Sequence, residues 1–521
     1  MLEFNRRYQS AIHSGLLFVL GMISFWPSVH FDFVNWDDPI YVQNNPTIRS
    51  WSAENLKQIS TEVIAKNYAP LTSLSFMLDY SFWGLNPCGY HATNVILHLV
   101  NGVLVYFLIC QITGSCFVGF FTASLFLVHP VQVESVAWIS SRKGLLCSMF
   151  MLGACIVRMR HDSSPKVDGR YSVLLASALL CKAHAVVLPA IMLCYDLLIL
   201  REEPRRAIPR QVIPGLMSLA LLVITMSAQN SMIGGVRTHM SFSLLRILAI
   251  DVTILWKYLG MLLMPTSLCV MYDPPVSGIW KQVILGSIGM FSAALLMWKH
   301  RRTRPWWLMG CLTILLLLFP MLNVFRITTL MNDRYLYLPC IVVFASALTI
   351  LKELLDVSFE SLDGMLAVLA SGLRTSLASV FVLAAIILTS HRLPVWADAE
   401  SLWADASKKC PTLPVVRIQA ALTAHARGDI QEALDLIRIA LRETNPDDLD
   451  RDRMREFIAD WTVQLAEARS FQKPSVNPSE FTNQPSPALN APANVMEAPA
   501  VGAASESAST EEAVPFLSSV K

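Results

Sequence analysis

The sequence predicts an all-α polytopic membrane protein, and three observations indicate this fold class. Of its 521 residues, 54% are hydrophobic and only 15% are charged, which gives a mean hydropathy of +0.47. A soluble domain carries about 25% charged residues. The apolar residues gather in runs close to the ~20 residues that cross a bilayer as a helix, and basic residues cluster between the runs. Because basic loops tend to stay in the cytoplasm, the alternation predicts about eleven transmembrane helices.

The first apolar run, residues 11–29, follows Arg6 and Arg7 and has no small-residue cleavage site after it. We predict an uncleaved helix whose N-terminus is cytoplasmic. The stretch 30–90 that follows is polar and rich in aromatic residues, which favours a long, ordered outer loop over a linker. Within it, Ser52 precedes a helical pattern and is expected to cap a short helix.

Two adjacent carboxylates, Asp37 and Asp38, lie in this loop just after the first helix. At the edge of low-dielectric material, burial and mutual repulsion both raise the pKa of a carboxylate. One of the pair is therefore a candidate proton acceptor. The alternative is a simple polar turn, since Asp initiates turns and the following Pro39 fixes the backbone.

The next predicted crossings, 91–111 and 114–128, return the chain to the outer face at residues 129–143. Arg142 and Lys143 then lie on the side that basic residues usually avoid. Two cations retained there predict an anionic partner. The alternative partner is Glu134 of the same surface.

Residues 171–200 are apolar but lie between two basic segments, so the chain must cross an even number of times. We predict two short helices folded back near Lys182 and His184, with Pro189 and Asp196 in the second helix. This arrangement places Lys182 toward the outer face. An intramembrane lysine is costly and marks a functional site, although snorkelling to the interface is the alternative.

Further crossings are predicted at 144–157, 212–228, 283–298, 306–322, 338–351 and 366–390. Residues 244–264 are apolar but contain three charges, and we expect them to lie on or dip into the outer face. Asp333, Arg334 and Tyr335 emerge at this same face. The planar fork of Arg334 suits bidentate phosphate binding. The alternative for Arg334 is a structural pair with Asp333.

The C-terminal region divides into residues 396–469, which follow a tetratricopeptide pattern of about 34 residues, and 470–521, which are rich in Pro, Ala and Ser. One repeat unit is fewer than the roughly three that stand alone. It must therefore pack on the membrane domain, on another subunit or on a partner. We expect 470–521 to be disordered.

The motifs taken together resemble the GT-C membrane glycosyltransferases, and they are most similar to bacterial relatives of the transmembrane and tetratricopeptide-repeat O-mannosyltransferases. The resemblance spans residues 31–446. It rests on the segments 33–38, 68–71 through 78–80, 89–94 with His98, 129–143, Lys182 with Pro189 and Asp196, 333–339, and the single repeat unit.

This resemblance implies a GT-C-like bundle over residues 1–395 and a polyprenyl-phosphate monosaccharide as donor. It also implies that an acidic residue of the first outer loop, here Asp37 or Asp38, acts as general base. The repeat array is shorter than in the animal enzymes, so the acceptor stays open between protein and glycan. The expected location is the bacterial inner membrane, with the active site and the C-terminal region outside the cytoplasm.

The chemistry of the residues fits this function independently. A phosphate leaving group needs cations, and those available at the outer face are Arg142, Lys143, Lys182 and Arg334, supported by His91, His129, Glu134, His184, Asp333 and Tyr335. A base on the opposite side of the sugar predicts inversion at the anomeric carbon.

No cofactor is required for this chemistry, although Asp37, Asp38, Glu134 and His91 are residue types that hold a divalent cation. The eleven cysteines are scattered and show no metal-ligand spacing. No feature points to nucleic acid. Two other functions stay open: a lipid-linked sugar flippase, although transporters usually show internal repeats and none is found here, and a non-catalytic scaffold whose repeat unit recruits partners.

Overall fold

The computed structural model describes residues 2–64, 67–159, 165–232, 242–323, 329–359, 364–444 and 450–472. Across these ranges the chain is helical, and the β-pairing they contain is a single bridge between Ile64 and Asn67. The predicted all-α class is confirmed. In chain order the helices are α1 Leu2–Phe25, α2 Ala53–Thr61, α3 Pro70–Trp83, α4 Pro87–Thr113, α5 Cys116–Val128, α6 Val133–Ala137, α7 Arg142–Arg158, α8 Pro165–Cys181, α9 Leu188–Leu198, α10 Pro204–Met232, α11 Leu244–Leu263, α12 Trp280–His300, α13 Pro305–Leu318, α14 Pro339–Phe359, α15 Gly364–Arg392, α16 Ala399–Lys409, α17 Pro414–Ala426, α18 Ile430–Glu443 and α19 Asp450–Gln472.

Six helical segments of the described chain are long and apolar enough to cross a membrane, or seven if the bent pair of Cys116–Val128 and Pro130–Ala137 forms one span. The chain is therefore a multi-pass membrane protein. The predicted count of about eleven is not reached by this criterion, because other expected crossings are short or carry charges. The six are Tyr8–His30, Pro87–Thr113, Ile139–Arg158, Pro204–Thr225, Trp280–His300 and Val368–Trp396.

Helix α4 lies at the centre of the first half of the bundle and packs against α1, α5 and α7, while α5 also packs against α14 and α15. The close approach of α5 to α4 depends on Gly119. A Cβ atom at this position would lie 2.3 Å from the sulfur of Cys110 and 3.2 Å from the backbone oxygen of Tyr106. Because backbone cannot move aside as a side chain can, this contact admits only glycine without a shift of the helices.

The folded-back pair of short helices predicted in residues 171–200 is confirmed. Helix α8 ends at Cys181, a 3-10 turn covers Ala183–Val187, and α9 follows directly. At the other end of the pair, Arg158 of α7 forms a buried ion pair with Asp196 of α9, with 2.7 Å between guanidinium nitrogen and carboxylate oxygen. This pair fixes α9 against α7 and leaves Lys182 at the end where α7 begins.

The outer loop has a small hydrophobic core of its own, which includes Tyr41, Val42, Ile48, Phe76 and Tyr90. The predicted cap is present, since the Ser52 side chain accepts a hydrogen bond from the amide of Asn55 at the start of α2. The loop is thus a folded unit, as its aromatic content predicts.

Helix α11 covers the segment 244–264, and its C-terminal half contacts residues beside the outer loops. The hydroxyl of Tyr258 accepts from the amide of Asn332 at 3.3 Å, and the backbone oxygen of Leu262 lies 3.2 Å from Nε2 of His129. The predicted dip of this segment into the outer face stays a prediction.

The C-terminal helices pack on the membrane domain, which selects one of the three alternatives stated above. Trp396 and Trp403 are buried in the main hydrophobic core, whereas α17, α18 and α19 share a separate cluster around Leu434, Ile437 and Trp461. The segment predicted to be disordered, 470–521, lies outside the described residues beyond 472.

We expect Gly119→Ala to destabilise the protein by about 1–3 kcal/mol, because the added methyl group overpacks the contact between α4 and α5. Thermal unfolding of the purified protein in detergent measures this. The matched control is Gly372→Ala in α15, where a Cβ atom meets nothing within 4 Å. An equal loss of stability in both variants would contradict the packing argument.

Candidate active site

The two adjacent carboxylates of the outer loop have different environments. Asp38 is buried, and its oxygens accept hydrogen bonds from the amides of Val34 (3.1 Å) and Ser140 (3.0 Å) and from the Ser140 hydroxyl (2.5 Å). The Asp37 side chain is 26% exposed, and its carboxylate lies 3.4 Å from Nζ of Lys143. Asp37 is therefore the member of the pair that a substrate can reach, while Asp38 is bonded within the protein.

Burial raises the pKa of Asp38 to about 6, and the negative charge of Asp37 acts in the same direction. The hydrogen bonds from Ser140 and Val34 oppose this shift because they favour the ionised form. Asp38, whose pKa is raised as predicted for one of the pair, is thus the carboxylate that a substrate cannot reach.

Lys143 connects the carboxylate loop to the start of α7. Its ammonium lies 3.4 Å from the Asp37 carboxylate and 3.4 Å from the hydroxyl of Tyr41, whose ring centroid is 4.7 Å away. Ser140, which holds Asp38, lies three residues earlier in the same segment. The loop and α7 are therefore joined at two adjacent points.

The indole of Trp138 brings two of the predicted cations together. Its ring centroid is 5.8 Å from Nζ of Lys143 and 5.2 Å from the guanidinium carbon of Arg334, and its ring also stacks on Trp396 at 6.1 Å. Cations at such distances from an aromatic face are attracted to it. Residues far apart in sequence thus meet at one end of the bundle.

Arg334 pairs with Glu134, which neither alternative stated above anticipated. The guanidinium forms an ion pair with the Glu134 carboxylate, and the Arg334 amide donates to the same carboxylate at 2.9 Å. Asp333 instead accepts a hydrogen bond from the hydroxyl of Tyr272. The two alternatives, an Asp333–Arg334 pair and a pairing of Glu134 with Arg142 and Lys143, are therefore both wrong.

A small pocket lies between α7, the turn after α8 and the segment 334–338. Lys182 and Arg334 line it, together with Ser135, Ser141, Gly144 and His184. Lys182 is half-buried, and the described part of the chain offers its ammonium no hydrogen-bond or ion-pair partner. Its charge interacts with Arg334, Lys143 and Glu134. An unpaired buried ammonium beside a guanidinium is suited to binding an anion.

Arg142 was predicted at the donor phosphate, but it lies away from the pocket that Lys182 and Arg334 line. The side chain is fully buried and forms a 2.5 Å ion pair with Asp79. It also donates to the side-chain oxygen of Asn94 (2.9 Å) and the backbone oxygen of Tyr90 (2.7 Å). Because its donors are already satisfied, Arg142 joins α3 and α4 to α7 and does not reach the pocket.

The supporting residues are mostly held by backbone groups. A ring nitrogen of His91 lies 3.4 Å from the backbone oxygen of Asp32, His129 contacts that of Leu262, and His184 contacts that of Leu317 at 2.7 Å. The Tyr335 hydroxyl lies 3.2 Å from that of Thr329. Of these four, only His184 is among the residues that line the pocket.

The divalent-cation alternative needs Asp37, Asp38, Glu134 and His91 around one ion. Glu134 is engaged by Arg334, Asp38 by Ser140 and Val34, and His91 by Asp32. The described residues contain no group of three or more His, Cys, Asp or Glu side chains that could hold a metal ion. The four residues therefore do not form a shared ligand set.

Comparison with known proteins finds sequences that are similar to this chain. No protein-family model matches it. It is 25% identical over 422 residues to a protein O-mannosyl-transferase of Caenorhabditis elegans, which covers 76% of this chain and 58% of that protein. It is 32% identical over 206 residues to the protein O-mannosyl-transferase TMTC1 of Mus musculus, which covers 35% of this chain and 22% of that protein.

This chain is therefore similar in sequence to protein O-mannosyl-transferases. It spans about three fifths of the length of the worm protein and about a fifth of the mouse protein. The resemblance found in the sequence motifs is thereby confirmed.

Two solved structures also align with this chain. One is the Archaeoglobus fulgidus oligosaccharyltransferase tethered with an acceptor peptide, at 12% identity and a TM-score of 0.42, covering 88% of this chain and 59% of that one. The other is ArnT from Cupriavidus metallidurans bound to undecaprenyl phosphate, at 12% identity and a TM-score of 0.38, covering 84% and 81%. Likenesses at these scores carry no inference about this chain.

Four residues in or beside the site were not predicted: Tyr41 and Trp138 beside the cations, Ser140 on Asp38, and Asp79 on Arg142. Each lies inside or next to a motif already singled out. For the first three, the available signal was an aromatic or small polar residue within a few positions of a charged one, whereas Asp79 is itself a charged residue of the segment 78–80.

The buried Asp38 predicts a pH-dependent stability. Because its pKa rises from 3.8 to about 6 on folding, the native state binds the proton more tightly, so the stabilisation is complete below about pH 4 and is lost as pH rises through about 6. Asp38→Asn removes this dependence. The unfolding free energy of the variant minus that of wild type should therefore be about 2 kcal/mol larger at about pH 7.5 than at about pH 4.5.

Chemical unfolding in detergent at the two pH values measures this difference. Asp32→Asn, an exposed position in the same loop, is the control and should follow the wild type. Parallel pH curves for wild type and Asp38→Asn would show that Asp38 does not titrate in this range.

Proposed function

We propose that this chain is an inverting glycosyltransferase of the GT-C type, which moves a mannose-like sugar from a polyprenyl-phosphate donor to a hydroxyl acceptor at the extracytoplasmic face. One observation carries the proposal: the unpaired ammonium of Lys182 lies in a pocket beside Arg334 at the same end of the bundle as the accessible Asp37. The protein O-mannosyl-transferase relatives support the sugar and the hydroxyl acceptor.

The donor phosphate binds Lys182 and Arg334. Glu134 holds the Arg334 guanidinium, and the pocket hydroxyls of Ser135 and Ser141 are further donors for phosphate oxygens. As the bond between the anomeric carbon and the phosphate oxygen breaks, negative charge grows on the phosphate. Fixed positive groups stabilise that charge more than they stabilise the intact donor.

Asp37 acts as the general base. Its carboxylate takes the proton from the acceptor hydroxyl while the hydroxyl oxygen forms a bond to the anomeric carbon, and the phosphate leaves with the electron pair of the broken bond. Attack opposite the leaving group inverts the anomeric carbon. Lys143 contacts the Asp37 carboxylate and is itself bonded to the Tyr41 hydroxyl, so it holds Asp37 in place. In this proposal Lys143 therefore positions the general base and does not bind the donor phosphate.

Two basic segments support the extracytoplasmic assignment of the site. The guanidinium of Arg201 donates to the backbone oxygen of Arg302 at 2.8 Å, so the clusters 201–206 and 299–304 share one end of the bundle. Helix α13 begins at this end, and the backbone oxygen of Leu317, near its far end, contacts His184 of the pocket. Because basic clusters stay cytoplasmic, the pocket faces outward.

Lys182→Met should weaken donor binding at least tenfold, because it removes the one free cation of the described pocket while keeping a side chain of similar length. Binding of a polyprenyl-phosphate monosaccharide to the protein in nanodiscs measures the effect. The control is Lys57→Met, which removes an exposed lysine from the outer loop. Unchanged binding by the Lys182 variant would remove Lys182 from the donor site.

Asp37→Asn should lower sugar transfer at least a hundredfold, since a positioned general base contributes about 10²–10⁴ to the rate. Donor binding should stay within twofold of wild type. Mass spectrometry of glycosylated acceptors after incubation with the lipid-linked donor provides the assay. Asp32→Asn serves as the control from the same loop, and full activity of Asp37→Asn would exclude Asp37 as the base.

A further inference from the structure

The segment that carries Asp37 is bonded to the C-terminal helices through Asn35. The Asn35 side-chain oxygen accepts from the indole nitrogen of Trp403 in α16 at 2.5 Å. Its side-chain nitrogen donates to the hydroxyl of Thr423 in α17 at 3.0 Å and to the backbone oxygen of Gln419 at 3.5 Å. A single loop side chain thus contacts two helices almost 400 residues further along the chain.

Two neighbouring contacts strengthen this attachment. The rings of Trp36 and Trp403 lie 5.4 Å apart, and the amide of Asp32 donates to the backbone oxygen of Ala397 at 2.9 Å. On the other side of Asp37, Asp38 is held by Ser140. Asp37 therefore lies between two anchors, one on the C-terminal helices and one on the membrane bundle.

We propose that Asn35 is a positioning residue for the base, and that α16 and α17 form a structural part of the active site. This inference rests on the proposed function of Asp37. A displacement of about 1 Å in a reacting group can lower a rate by about a hundredfold, so a loop attached only to the membrane bundle, at Ser140 and Lys143, would hold Asp37 less firmly. Asn35 is not among the residues that line the pocket of Lys182 and Arg334, so donor binding does not depend on it.

Two functions are then carried by different parts of the molecule. The membrane bundle builds the phosphate pocket, and the C-terminal helices fix the carboxylate that activates the acceptor. A recruiting module, by contrast, would alter acceptor affinity and leave the carboxylate loop undisturbed.

The test compares Asn35→Ala and Thr423→Val with Thr412→Val. The Thr412 hydroxyl also joins the C-terminal helices to the membrane domain, but it donates to Asp273 in the loop after α11, at 3.2 Å, and not to the carboxylate loop. Thr423→Val and Thr412→Val are therefore the same chemical change at two attachment points of one unit.

We expect turnover to fall about 10- to 100-fold in Asn35→Ala and several-fold in Thr423→Val, with donor affinity within twofold of wild type in both. Thr412→Val should match wild type. The double variant of Asn35 and Thr423 should be no slower than Asn35→Ala, because both changes break the same attachment. Unchanged turnover in Asn35→Ala, or an equal loss in Thr412→Val, would overturn the proposal.

Hydrogen exchange of residues 32–38 measures how firmly the carboxylate loop is held, without an assay of sugar transfer. Exchange should rise in Asn35→Ala and Thr423→Val but not in Thr412→Val. If exchange rises while turnover stays at the wild-type level, the positioning role is wrong and the proposed function stands. If Asp37→Asn keeps full activity, the proposed function of Asp37 fails whatever the exchange shows.

Discussion

A cation inside a low-dielectric bundle is costly unless an opposite charge matches it, and this constraint organises the protein. Arg142 pairs with Asp79, Arg158 with Asp196, Arg334 with Glu134, and Lys143 with Asp37. Breaking such a buried pair costs about 3–5 kcal/mol, because the remaining charge is left uncompensated. Against this pattern the free ammonium of Lys182 stands out within the described residues. The unmatched cation lies at the place where the proposed anionic donor would supply the missing charge.

The pairs also explain how a mostly apolar chain obtains a defined geometry. Because lipid tails are as apolar as leucine, the hydrophobic effect does not select which face of a membrane helix turns toward the bundle. The Asp79–Arg142 pair fixes α3 and α7 relative to each other, and the Arg158–Asp196 pair does the same for α7 and α9 at the opposite end. Helix α7 carries a fixed contact at each end, so Lys143 has a set position beside Asp37.

Sequence alone predicts which charges share an end of the bundle but not which of them touch. Hydropathy and basic loops place Asp37, Lys182 and Arg334 on one face, and the even number of crossings requires the turn near Lys182. The partner of Arg334 is 200 residues away, and its choice depends on helix rotation, which hydropathy does not record. For the same reason the sequence left Asp37 and Asp38 equivalent until Ser140 was seen to bind one of them. The sequence predicts more crossings than the described chain has candidate spans. The length of an apolar run does not distinguish a helix that spans the membrane from a short or charged one.

The four C-terminal helices α16–α19 form an array that is attached to the carboxylate loop at one end, through α16 and α17. Its inner face is occupied by Asn35 and Trp36, whereas α18 and α19 follow on the far side. Helical units that stack on their neighbours in sequence order would extend such an array from α19, away from the carboxylate loop. An array attached in this way can change at its free end without displacing the helices that contact Asn35.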